Sequence, residues 1–133
     1  MISFVKKAIV LVPVVASTFS SPETLTITLE GQRFAPAEIR AHPGDTLRFV
    51  NGNGGPHNVE FPTDSVPKDA RKLFEKVMPG GRSKLGPTSS PLFIDPDEKY
   101  VMVVPDVPAG RYAFVCLPHA AGNMRGGLTV VRD

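Results

Sequence analysis

The sequence predicts an all-β fold, a sandwich of seven to eight short strands with one short helix in a middle insertion. Three observations point there. Glycine (12) and proline (14) make up about a fifth of the 133 residues, which suits short strands joined by tight turns and not a helical bundle. Apolar and polar residues alternate in segment after segment. Turn residues separate those segments at short intervals, so each strand has one apolar face to bury against another layer. At this length the chain forms one domain with a real hydrophobic core and is too short for two ordinary ones.

Taken in order, Thr24 to Leu29 places Leu25, Ile27 and Leu29 on one face of a half-buried strand. Phe34-Ala35-Pro36-Ala37-Glu38-Ile39 is broken by proline and suits an edge strand or a bend. Pro43-Gly44-Asp45 is turn chemistry, with His42 as a turn residue, and leads into a second clear strand, Thr46 to Asn51. The run Asn51-Gly52-Asn53-Gly54-Gly55-Pro56 must be a loop, and it delivers His57 at the start of a strand expected over His57 to Phe61. Between Pro67 and the stop Pro79-Gly80-Gly81, residues Ala70, Leu73, Phe74 and Val77 recur at helical spacing. A polar loop is expected from there through Ser90. Strands then return at Leu92 to Ile94, Tyr100 to Val104, Gly110 to Cys116 and Gly127 to Val131, separated by Pro96-Asp97, Pro105-Asp106 and Pro108-Ala109-Gly110. Met78 and Met102 read as core residues.

The N-terminus has the three parts of an export signal: Lys6-Lys7, an apolar run from Ala8 to Ala16 interrupted by Pro13, and small residues Val14 and Ala16 before a possible cut. A membrane-spanning helix needs about 20 apolar residues, roughly twice this run. Residues 1–16 are therefore expected to be a signal peptide, and residues 17–133 a single domain that is periplasmic or otherwise exported. The full chain carries 15 Lys plus Arg against 13 Asp plus Glu. Without Lys6 and Lys7 it is formally neutral, so no basic excess argues for nucleic acid.

The chemistry concentrates in Cys116-Leu117-Pro118-His119-Ala120-Ala121-Gly122-Asn123-Met124, which sets a thiolate, an imidazole and a thioether close together. A second imidazole is available in Pro56-His57-Asn58-Val59. Two His and one Cys with a weak axial Met is the ligand set of a blue-copper electron-transfer site. In the strand ending at Cys116, period-two alternation puts Tyr112, Phe114 and Cys116 on one face, and Ala113 and Val115 on the other. Gly122, Gly126 and Gly127 are expected to allow the following loop to curl over the site. A lone Cys is often only a small buried hydrophobe, but in an exported chain it would be a reactive thiol unless a metal held it. Structural zinc usually closes with four Cys or His ligands, and only three such residues are on offer. A binuclear copper centre lacks its second cysteine. Neither a Gly-x-Ser-x-Gly elbow nor a paired-carboxylate pattern argues for an enzyme.

The Cys-x2-His-x4-Met spacing followed by Gly126-Gly127-Leu128-Thr129-Val130 resembles the copper loop of the plastocyanin/pseudoazurin-like blue (type 1) copper proteins of the cupredoxin family. Phe34 to Ile39, Pro43 to Phe49 and Pro56 to Val59 resemble that family in the same order, over roughly residues 24 to 131. The resemblance implies a cupredoxin-like Greek-key β-sandwich holding one type 1 copper ion, with His57, Cys116 and His119 as strong ligands and Met124 as the long axial one. It implies no catalysis but single-electron shuttling by a monomer, between redox proteins such as c-type cytochromes or a membrane electron-transport complex.

The same resemblance implies that the backbone N–H of Asn58 bonds the cysteine sulfur while its side chain ties the two ligand loops together. His119 would sit at the surface within an apolar patch of Pro118, Ala120, Ala121, Gly54 and Gly55. Val115 stands where plant members carry a tyrosine used as a remote electron entry, which removes that second route. Two other functions remain open at this point: a periplasmic copper-delivery protein on the same fold, and a metal-free sandwich serving as an interaction module.

Overall fold

The computed structural model describes residues 7–13 and 21–133. Residues 1–6 and 14–16 of the expected export signal lie outside the described residues. Seven strands form two sheets. Strand β1 (Thr24–Glu30) lies between β2 (Arg33–Ala35), antiparallel to it, and β4 (Thr46–Asn51), parallel to it; β4 then pairs antiparallel with β5 (Lys99–Val103). In the second sheet β7 (Arg125–Val130) lies between β3 (Glu38–Ala41), parallel, and β6 (Gly110–Val115), antiparallel. The all-β sandwich with one short helix is what the alternation predicts. No helix among the described residues is long and apolar enough to cross a membrane.

Three elements differ from the sequence expectation. The segment from Phe34 to Ile39 is not one edge strand but parts of two: it ends β2 at the edge of one sheet and begins β3 at the edge of the other. Pro36, with no N–H to give a ladder, stands where the chain changes sheets. His57 to Phe61, expected as a strand, makes only isolated bridges, His57 with Phe93 and Glu60 with both Ser89 and Val115. Hydroxyls fill the missing rungs, with Ser90 Oγ accepting from Val59 N–H at 3.0 Å and Thr88 Oγ1 donating to Phe61 C=O at 2.6 Å. Leu92 to Ile94 likewise contributes only the Phe93 bridge. Ser89 and Ser90, expected in a polar loop, are fully buried because they serve this seam.

Helix α1 (Lys68–Val77) follows Pro67 and turns its apolar face inward at Ala70, Phe74 and the half-buried Val77, four and seven positions on from the first. Phe74 packs on Phe61 and Tyr112, with ring centroids 4.6 and 5.3 Å apart. Met78 and Met102 are core residues, as expected. Phe114 is the hub of the interior: its ring meets Phe34 at 4.8 Å, Phe61 at 5.6 Å and Phe49 at 5.9 Å, all edge-to-face. Such pairs add about 0.5–1.5 kcal/mol beyond their burial. Because β6 carries Phe114 two residues before Cys116, the best-packed part of the core also anchors the strand that ends in the thiol.

Two outcomes follow from this packing. Phe114→Ala should lower the unfolding free energy by about 3–5 kcal/mol in a urea titration, since the rings of Phe34, Phe49 and Phe61 would line the cavity. The Glu60 carboxyl is pushed above its ordinary value by burial first and by Asp64 second. An acid whose folded-state value is raised contributes its full stability below its unfolded-state value and loses it as pH rises through the folded one. Glu60→Gln should therefore raise the melting temperature near neutral pH, and the gain should vanish in thermal scans at about pH 3.

Candidate metal centre

Cys116 follows directly on β6, and its side chain is fully buried, as expected from the Tyr112–Phe114–Cys116 face. A 3-10 segment (Leu117–Gly122) then turns the chain back, and Asn123, with φ 61° and ψ 35°, reverses it into β7. The left-handed residue of the curl is thus an asparagine, a type that tolerates this conformation, and none of Gly122, Gly126 and Gly127, which were expected to allow the curl, has a positive φ. The glycines serve close approach instead. A Cβ on Gly126 would meet Ala37 C=O and the Phe114 ring, and one on Gly122 would meet the Gln32 side chain. The loop is closed by Cys116 N–H to Met124 C=O at 3.0 Å and Met124 N–H to His119 C=O at 3.3 Å.

These turns bring three of the four candidate residues into one cluster. His57 Nδ1 lies 3.8 Å and His119 Nδ1 3.4 Å from Cys116 Sγ, across 59 and 3 positions of sequence respectively. The three donor atoms all fall within 4.8 Å of one another. A metal bound at about 2.0 Å to nitrogen and about 2.3 Å to sulfur, with bond angles near 120°, needs nitrogen and sulfur about 3.7 Å apart. The spacing therefore fits a single ion in a trigonal arrangement. Met124, the fourth candidate, is fully buried and is joined to Cys116 and His119 by the two backbone bonds just described.

The His57 ring is oriented from its other side. Its Nε2 sits 2.9 Å from Asn53 C=O, which can only accept. The proton therefore belongs on Nε2, and Nδ1 keeps a free lone pair facing the sulfur, the arrangement that prepares an imidazole for a metal. Asn58 acts between the two loops: Oδ1 accepts from Leu117 N–H at 2.8 Å, and Nδ2 donates to Ser89 Oγ at 3.0 Å. The expected tie between the loops is present. Burial pushes the Cys116 thiol up, while the backbone N–H groups of Asn58 and His119 pull in the opposite sense by favouring the thiolate. His57 is fully buried and His119 only half-buried. Of the residues expected around His119, Pro118, Ala121, Gly54 and Gly55 are exposed and Ala120 is half-buried, with Leu117 exposed beside them.

Three contributors were missed in the sequence, two of them without any signal to find. Asn53 acts through its carbonyl, which no side-chain motif reports. The buried Thr88-Ser89-Ser90 run had no periodicity to expose it. Asn51 did leave a signal, since Leu47, Phe49 and Asn51 share one face of β4 and a polar residue at the end of an apolar face is suspect. Its Nδ2 donates to Asp95 C=O at 2.9 Å and pins the next turn.

A family model for copper binding proteins, the plastocyanin/azurin family, matches residues 23–131. The chain belongs to that family. Plastocyanin of Nostoc punctiforme is 29% identical over 92% of this chain and 89% of that protein. Plastocyanin B'/B'' of Nicotiana tabacum is 30% identical over 75% of this chain and 89% of its own length. The chloroplastic plastocyanin of Silene latifolia subsp. alba is 31% identical over 75% of this chain, which spans only 53% of that relative. Among solved structures, a mutant fern plastocyanin superposes with TM-score 0.61 at 22% identity, covering 80% of this chain and 100% of that one. A reduced amicyanin mutant gives 0.54 at 21% identity over 81% and 82%. These two likenesses show the fold alone. With the donor set above, family membership makes this a cupredoxin with one type 1 copper, soft in its thiolate and borderline in its imidazoles.

Removing the tie should be measurable without metal. Asn58→Ala leaves Leu117 N–H unpartnered, and the apo protein should lose about 1–3 kcal/mol of stability in denaturant titration.

Proposed function

We propose that this chain is an exported electron carrier in which His57, Cys116 and His119 hold copper and Met124 is the weak axial ligand. The observation that carries the proposal is the pair of Nδ1 atoms 3.8 and 3.4 Å from one buried thiol, with the Nε2 of His57 already engaged by Asn53. A bound copper ion supplies a one-electron Cu(I)/Cu(II) couple. The chain's own part is to hold its donors still. Two of the three are fully buried, on loops tied by Asn58, so little can shift when an electron arrives. Burial also keeps water from the thiol, and the half-buried His119 offers an edge through which an electron can leave into the apolar patch.

On this reading residues 1–16 are the export signal, residues 17–133 are the carrier domain, and the chain is not an enzyme. Its partners are redox proteins such as c-type cytochromes or a membrane electron-transport complex. Copper delivery is the competing function, but a donor set with two fully buried members suits retention better than hand-over.

Adding Cu(II) to the purified protein should produce the intense blue colour of a thiolate–copper site. It should bleach with ascorbate and return with ferricyanide through repeated cycles, without copper appearing in the filtrate. Cys116→Ser should remove the colour. Transfer of the metal to a chelating acceptor on each reduction would favour the delivery reading.

A further inference from the structure

Charge is divided unevenly along this chain. Residues 68–84 carry six cations (Lys68, Arg71, Lys72, Lys76, Arg82 and Lys84) against two acids, whereas the rest of residues 17–133 carries seven against eleven. A formally neutral domain is therefore a dipole, with a +4 segment set on a −4 body. On α1 the arrangement is ordered. Lys68, Lys72 and Lys76 stand four residues apart along one exposed ridge, opposite the buried Ala70–Phe74 face. Like charges at that spacing destabilise a helix, and Lys68 also opposes the dipole at the N-terminus. None of the three, nor Arg82 or Lys84, is in an ion pair among the described residues. Leu73, beside the ridge, is 37% exposed. The ridge is also held rigidly, because Phe74 is packed on Phe61 and Tyr112.

Resting on the electron-carrier reading, we propose that the Lys68–Lys72–Lys76 ridge, extended by Arg82 and Lys84, is the docking surface for an electron-transfer protein with an acidic face. Unpaired cations on a fixed element around one exposed leucine provide steering and a small contact, which set encounter rate and partner choice more than final affinity. An anionic membrane is the less suitable occupant. The apolar side of α1 is already buried in the core, so on the helix itself Leu73 is the one exposed large apolar side chain that could enter a bilayer. The acidic partner would be drawn to the ridge, with electrons still crossing at the His119 edge.

The test uses the copper-loaded protein and two c-type cytochromes, one of acidic and one of basic isoelectric point, in stopped-flow electron transfer. The triple variant Lys68→Glu/Lys72→Glu/Lys76→Glu should slow the reaction with the acidic cytochrome about tenfold at low ionic strength and leave that with the basic one equal or faster. The difference should disappear at about 0.5 M salt. Blue absorbance and melting temperature check the fold, and the milder Lys→Gln triple, expected to give a smaller loss in the same direction, replaces the reversal should that variant not fold. A change below twofold with the acidic cytochrome overturns the proposal. So does loss of binding to phosphatidylglycerol vesicles with unchanged cytochrome rates, which would make the ridge a membrane face. Should the wild-type protein fail to cycle with ascorbate and ferricyanide, the carrier reading falls and the docking surface with it. Normal cycling with an unresponsive ridge sinks the docking surface alone.

Discussion

The hydrogen bond from Leu117 N–H to Asn58 Oδ1 is the interaction on which the site depends. It joins the loop that ends in His57 to the loop that begins at Cys116, 59 positions away. Each loop alone could place its donor in many ways. Tied together, and with His57 Nε2 held by Asn53 C=O, they have one arrangement in which both Nδ1 atoms face the sulfur. The same asparagine reaches a third segment through Ser89, so the tie extends into the buried seam of hydroxyls.

That tie works only because the scaffold beneath it is stiff. Close-packed interiors transmit small displacements instead of absorbing them, and here the aromatic cluster around Phe114 leads directly into the strand that presents Cys116. A donor set mounted this way resists the rearrangement that different oxidation states would otherwise demand. The thiol feels two opposed influences, burial against the ion and two backbone N–H groups in its favour. A bound cation would tip that balance decisively toward the thiolate.

The molecule thus separates its tasks by region. The loops at one end hold the donors and expose a single imidazole edge among small apolar residues. The helix inserted between His57 and Phe93 fills the core with one face and concentrates positive charge on the other. A neutral sum over the domain conceals this division, since net charge averages what a partner would meet locally.

Local rules determined much of this protein from its sequence. Period-two alternation located five of the seven strands, helical spacing located α1, and the Cys-x2-His-x4-Met spacing with Pro56-His57-Asn58 marked the candidate donors, because all of these are properties of neighbouring residues. Tertiary structure decided what depends on distant partners. It sent the two sides of Pro36 to different sheets and left His57 to Phe61 irregular because serine and threonine hydroxyls supplied its rungs. It put the left-handed turn at Asn123 and set Gly122 and Gly126 where other segments of the chain come close. It also made Asn53 an orienting residue through its carbonyl. A backbone oxygen is the same in every residue type, so only the packed chain can say which one an imidazole will find.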